Sequence, residues 1–207
     1  MAAVLTPKQA GQLLRDMEIY NGSPVTREAL LLSALTFQRP GEIRQMEWAE
    51  LDFDNALWTI PAVKMKRTKQ AKMSGRPHYV PLSPQAVKSL QRLKPLTGHH
   101  KYVFPSLLGE GRRMSENTVN TALRRMGYDN ETMTAHGFRA MARTLIVENL
   151  NVAPDVIEAQ LAHGKSGPLG MAYDRAEFMT QRRKMMNEWA DYLDKLRQGA
   201  DVVPLRA

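Results

Sequence analysis

Apolar residues recur at three- and four-residue spacing along most of this chain, and one central stretch departs from that rhythm. Leu13, Leu14 and Met17 form the first stripe, behind Thr6-Pro7, a capping hydroxyl followed by proline where a missing N–H does no harm. Asn21-Gly22-Ser23-Pro24 breaks that helix. Thr26 is placed to cap the next one, without the reciprocal half of a capping box, since Ala29 stands three residues on. Residues 29–37 are apolar almost all round (Leu30, Leu31, Leu32, Ala34, Leu35), which predicts a buried central helix. Gln38-Arg39-Pro40-Gly41-Glu42 ends it, and Pro40 opens a short helix reaching about residue 48. Ser83-Pro84 starts another, from residue 85 to about 93, and Ser115 caps residues 116–126. Residues 135–147 and 154–162 continue the helical pattern. The last helix, 176 to about 197, is long and amphipathic, with Phe178, Met185, Trp189, Tyr192, Leu193 and Leu196 at helical spacing.

From Asp52 the pattern changes. Leu57-Trp58-Thr59-Ile60-Pro61 carries aromatic and β-branched residues at strand density, and His78-Tyr79-Val80-Pro81-Leu82 is its partner. Residues 64–76 connect the two, and residues 96–111 are mostly loop around Tyr102-Val103-Phe104. With no internal repeat and no linker, the chain reads as one domain over residues 1–207, mainly α with a small antiparallel β-sheet (α+β). A loose tail is expected over residues 199–207.

Charge narrows the class. Lys and Arg number 29 against 21 Asp and Glu, a net +8, which favours polyanionic partners, chiefly nucleic acid or an acidic membrane surface. There is no cysteine, which excludes disulfides, thiolate catalysis and Cys-type zinc sites. MAAVLTPKQAGQ lacks the basic and apolar regions of a secretory signal, and no apolar run approaches the roughly 20 residues of a membrane span. A soluble, cytoplasmic protein is the expectation.

Four polar groups stand out between residues 134 and 175. His136 and Arg139 in H-G-F-R are three apart, on one face of a helix, with Gly137 allowing close backbone approach. Arg143, a further turn along, either contacts DNA or closes a salt bridge. His163 ends a helical run, where the dipole favours the protonated ring. A loop holding Gly164, Gly167, Pro168 and Gly170 then leads to Tyr173. Upstream, Arg39 leaves a buried helix and needs an anion, either Glu42 or a ligand phosphate, which its planar fork binds bidentately. The connection between the strands adds Lys64, Lys66, Arg67, Lys69, Lys72 and Arg76 with no acid among them, a solvated loop that can also follow a DNA backbone. Two imidazoles, two arginines and a phenol suit chemistry on a phosphodiester. A phenol titrates near 10, so ionising it at neutral pH costs about 4 kcal/mol unless a base or cations assist. Metal binding is the weaker reading, because the histidines fall at 78, 99, 100, 136 and 163 with no H-E-x-x-H and no carboxylate cluster.

Taken together, these motifs resemble the tyrosine recombinase family, in particular the catalytic domain of bacterial prophage integrases. The resemblance runs from about residue 5 to 193 and rests on T-F-Q-R-P-G-E-I-R, W-T-I-P-A-x-K-M-K, R-P-H-Y-V-P-L-S, V-F-P-S, M-S-E-N-T, H-G-F-R, I-E-A-Q-L-A-H, A-Y-D-R-A-E and W-A-D-Y-L, in that order. It implies a phosphate-binding pair in Arg39 and Arg139, a nucleophile in Tyr173 and a second hydrogen-bonding ligand in His163. His136 becomes the base or a phosphate ligand, and Glu42 the supporting acid. The catalytic lysine is expected at Lys66, with Lys64 and Lys69 as alternatives. Lys64, Arg67, Lys69, Arg76 and Arg143 are the expected DNA contacts. The implied reaction is strand transfer through a 3′-phosphotyrosyl bond, for prophage integration and excision, with neither ATP nor divalent metal required. Implied partners are double-stranded attachment sites, four protomers at synapsis from an isolated monomer, and accessory DNA-bending or excision factors near the nucleoid. The family's N-terminal arm-binding and core-binding domains would precede this chain. A type IB topoisomerase-like relaxase and a non-catalytic DNA-binding regulator are the competing readings.

Overall fold

The computed structural model of this chain describes residues 2–65, 75–106, 109, 111–162 and 178–199. Its elements run α1 (Pro7–Glu18), α2 (Pro24–Thr36), α3 (Pro40–Arg44), β1 (Leu51–Asp52), β2 (Leu57–Ile60), β3 (His78–Pro81), α4 (Pro84–Thr97), α5 (Thr118–Arg125), α6 (Gly137–Asn149), α7 (Pro154–Gln160) and α8 (Met179–Arg197). Helix α2 is the hub, packed against α1, α3, α4, α5, α6 and α8, as its all-round apolar surface requires. Trp189 of α8 donates its indole N–H to Ala34 O at 2.9 Å, and Phe37 meets the same ring edge-on. Trp58, Trp189, Phe37, Phe104 and Phe138 are the largest side chains wholly inside.

The two anticipated strands pair antiparallel, with Leu57 opposite Pro81 and Ile60 opposite His78. A third strand, unforeseen, pairs on the other side of β2, with Leu51 opposite Trp58. β1 has only two residues, too few for any alternation to be read. Pro81 is tolerated because β3 lies at the sheet's edge.

Several boundaries shift, each for a local reason. α2 starts at Pro24 because Ser23 caps it, accepting the N–H of Val25 at 3.2 Å, and Thr26 is buried inside the helix. α3 stops at Arg44, and Trp48–Glu50 forms a separate 3₁₀ turn. α4 continues past Leu93 to Thr97 with Pro95 inside its last turn. α5 starts at Thr118 rather than beside Ser115, whose hydroxyl accepts the N–H of Asn117. α6 begins at Gly137, which makes His136 its N-cap. No described helix is long and apolar enough to cross a membrane.

Candidate active site

Phe37 ends α2 in the left-handed region, with φ 41° and ψ 33°, and this reversal delivers Gln38 and Arg39 to the start of α3. Arg39 is the N-cap, followed by Pro40 where no N–H is needed. Glu42 fixes both parts of Arg39. One carboxylate oxygen accepts its backbone N–H at 3.1 Å and the other accepts Nη1 at 3.1 Å. Of the two anions that the sequence offered Arg39, Glu42 is therefore in contact. The Arg39 side chain keeps 20% of its surface open to solvent.

Arg139 approaches from α6 and is buried. Its Nη1 donates to Phe37 O at 3.0 Å and its Nη2 to Leu161 O at 2.8 Å. Phe37 and Leu161 are the C-caps of α2 and α7. Carbonyls at helix ends lack intrahelical donors and carry the negative end of the dipole, so one cation satisfies two helix termini. Burial pushes the guanidinium down to about 10, and the neighbouring charge of Arg39 pushes the same way. Glu42 and Glu158 act against both. Arg139 thus remains a cation at neutral pH, in the electrostatic neighbourhood of Arg39. It also ties the turn that carries Arg39 to the turn that precedes His163 in sequence.

His136 is half-buried at the N-cap of α6, in the same first turn as Arg139. Next to it, a Cβ on Gly137 would lie 2.3 Å from Ala2 O and 2.9 Å from Met133 Sδ. The close approach expected at this glycine is made by the chain's own N-terminal segment.

Sequence reasoning missed a cluster of buried polar residues linked to these elements. Gln160 O accepts from Gln38 Nε2 at 2.9 Å and from His78 Nε2 at 3.1 Å, which puts the His78 proton on that nitrogen. Gln160 Oε1 accepts from Arg182 Nε at 2.9 Å, and Arg182 Nη2 reaches Tyr79 O on the edge strand. A signal was present. Arg182 precedes Met185, Met186 and Trp189 by three, four and seven residues, so a cation occupies the buried stripe of α8.

The expected DNA contacts divide. Lys64 is held by partners within the chain. Its ammonium donates to Gln45 O at 2.9 Å, Glu47 Oε1 at 2.7 Å and Glu50 Oε1, which occupies all three N–H donors. Burial alone would raise the Glu47 carboxyl, but the hydrogen bond and charge of Lys64 outweigh it and leave it lowered. Arg143 takes the salt-bridge alternative, its Nε 2.9 Å from Glu158 Oε1, joining α6 to α7. Arg76 is exposed just before β3. Lys66, Arg67, Lys69, Lys72, His163 and Tyr173 lie outside the described residues, as does the tail from residue 200.

A family model described as the phage integrase family matches residues 3–179. This chain belongs to the phage integrase family. The integrase of Enterobacteria phage P4 is 44% identical over 191 residues, covering 88% of this chain and 43% of its own length. Prophage integrase IntA of Escherichia coli strain K12 is 37% identical over 199 residues, covering 96% of this chain and 46% of its own. This phage integrase family member therefore spans less than half the length of those relatives. Among solved structures, the integrase from mycobacterium phage Brujita superposes with a TM-score of 0.65 at 16% identity, over 95% of this chain and 64% of that one. The lambda integrase catalytic core superposes with a TM-score of 0.55 at 16% identity, over 81% of this chain and 95% of that one. At that identity the likeness is one of fold.

Proposed function

We propose that this chain is the catalytic domain of a site-specific DNA recombinase that cleaves and rejoins strands through a 3′-phosphotyrosyl intermediate. The observation that carries the reading is the Arg139 bridge, which draws the arginine turn at residues 37–39 and the end of α7 around one buried cation. In the proposed reaction the Tyr173 oxygen attacks the scissile phosphorus in line and the bond to the 5′ oxygen breaks. Arg39, Arg139 and His163 stabilise charge on the nonbridging oxygens. Lys66 gives its proton to the departing 5′ oxygen, and His136 serves as base or as a further phosphate ligand. A 5′-hydroxyl from the partner strand then reverses the step. The ester bond is exchanged rather than hydrolysed, so the resealing step needs no separate energy source.

The finer proposals follow the family. A lambda integrase tetramer bound to a Holliday junction is a structural neighbour, with a TM-score of 0.54. We extend that assembly to this chain: a monomer alone, and four protomers on paired attachment sites in the bacterial cytoplasm. Accessory DNA-bending or excision factors would act with them, and the relatives' additional length is assigned to arm-binding and core-binding domains. Full-length relatives named as integrases favour this over a topoisomerase-like relaxase or a DNA-binding regulator.

The test uses a pool of nicked duplexes with a randomised core, denatured after reaction so that only covalently joined DNA stays with the protein. The wild-type chain is expected to retain DNA. Tyr173→Phe is expected to retain none while still binding duplex before denaturation. Adducts formed by Tyr173→Phe, or none formed by the wild type, would overturn the proposal.

A further inference from the structure

The last turn of α7 presents a problem that its sequence solves with polar side chains from distant parts of the chain. Gln160 is the final residue of α7 and Leu161 its C-cap, so both carbonyls belong to the set without intrahelical donors. Gln160 itself is fully buried, so water does not serve it. Donors come from three other segments: Gln38 and His78 on Gln160 O, and Arg139 on Leu161 O. The Gln160 side chain then extends the linkage to a fourth, because its Oε1 holds Arg182 Nε of α8.

Each segment carries a group used in the proposed reaction or lies near one in sequence. Gln38 precedes Arg39, and its amide also donates to Thr36 O at 3.1 Å, which locks the arginine turn onto α2. His78 opens the strand that returns from the lysine-bearing connection. Arg182 stands on the helix that follows Tyr173 in sequence, and Gln160 precedes His163 by three residues. A methionine would fill the same space beneath α7, but it could not orient a guanidinium.

We infer that Gln160 is a positioning residue for strand cleavage, its side-chain oxygen setting the register of α8, through Arg182, against the turn that carries Arg39. The inference rests on the strand-cleavage reading above. Gln160 touches no reacting atom and acts on alignment, and a misplacement of about 1 Å between reacting groups can slow a reaction roughly a hundredfold.

Gln160→Met removes the acceptor at nearly constant shape, whereas Gln160→Glu keeps an oxygen facing Arg182. Both are compared with wild type on the nicked duplex that the wild type selects from the randomised pool. The readouts are the single-turnover rate of covalent attachment at saturating protein, equilibrium affinity for the same duplex, and far-ultraviolet circular dichroism. Gln160→Met is expected to slow attachment by at least about tenfold with affinity unchanged, and Gln160→Glu to restore most of the rate. Should Gln160→Met fail to fold, Arg182→Lys takes its place. It keeps the charge but loses the planar fork whose Nε and Nη2 reach Gln160 Oε1 and Tyr79 O in fixed directions, so the same slowing is expected. Attachment at the wild-type rate in the folded variant sinks the inference alone, as does equal slowing by Gln160→Met and Gln160→Glu. A wild-type chain that forms no adduct removes the functional reading and the inference with it.

Discussion

Two opposing quantities meet at Arg139, which is 5% exposed. Burying the guanidinium carries a desolvation penalty, while its hydrogen bonds satisfy carbonyls that end two helices. Arg139→Met removes the penalty along with the bonds. Arg139→Lys keeps a buried charge, and a more strongly hydrated one, while losing the rigid fork whose two terminal nitrogens reach Phe37 O and Leu161 O separately. The conservative change should therefore be the more damaging to stability. Arg139→Lys is expected to lower the unfolding free energy by about 2 kcal/mol, the value of one lost charge-assisted hydrogen bond, with Arg139→Met lowering it less. Urea denaturation of the two variants checks the order, and Met proving worse than Lys would contradict it. At this scale the sequence was legible where a polar residue stood in an unusual local setting. Arg39 beside Pro40 and His136 before Gly137 both drew notice, and each is found at a helix N-cap. Gln38, His78, Gln160 and Arg182 went unnoticed because their meaning lies in partners 22 to 122 residues away. Of the four, Arg182 alone leaves a trace in the sequence pattern, by its place in an apolar stripe.

Among the elements, the crossing of α1 and α8 depends on a residue with no side chain. A Cβ on Gly11 would lie 2.5 Å from Leu196 O and 3.2 Å from Leu196 C, contacts with main chain that cannot rotate away. Arg15, one turn later, donates to Leu196 O at 3.2 Å and Arg197 O at 3.3 Å, so α1 caps the end of α8. Alanine gains about 1 kcal/mol in helix propensity over glycine. Forcing the helices apart costs about 1–3 kcal/mol and also disturbs both Arg15 bonds. The balance favours loss: Gly11→Ala is expected to lower the melting temperature, and a rise would show that the helices separate freely. The elements were easier to foresee than the residues between them. Helix α2 and the β2–β3 pairing followed from composition, since burial on every side leaves a continuous apolar run and the strands leave a density of aromatic and β-branched residues. Boundaries failed where two caps competed, as with Ser23 and Thr26, because local chemistry permits both and packing chooses. β1 was invisible at two residues.

Over the molecule as a whole, several acids are drawn into internal contacts. Glu28 accepts from Ser89 and Arg92 between α2 and α4, Glu42 holds Arg39, Glu47 and Glu50 hold Lys64, and Glu158 holds Arg143. The chain as a whole carries a net charge of +8. Binding should then be governed by counterion release, whatever the duplex sequence. A domain neutralising about six phosphates loses roughly a thousandfold in affinity between 50 and 200 mM salt. Anisotropy titration of a labelled duplex at stepped potassium chloride gives the slope, and two variants divide it. Arg76→Ala, at an exposed position, is expected to weaken binding evenly across sequences and to reduce the slope by about one. Lys64→Ala is expected to leave the slope alone and lower the unfolding temperature, because its ammonium joins Glu47, Glu50 and Gln45 O instead of facing solvent. The contrast matters because both residues belong to one basic stretch of sequence and exposure separates them, Arg76 lying open and Lys64 held largely buried among carboxylates. If Lys64→Ala reduced the slope as Arg76→Ala does, the carboxylate cluster would have to open when DNA binds, and Lys64 would return to the set of DNA contacts.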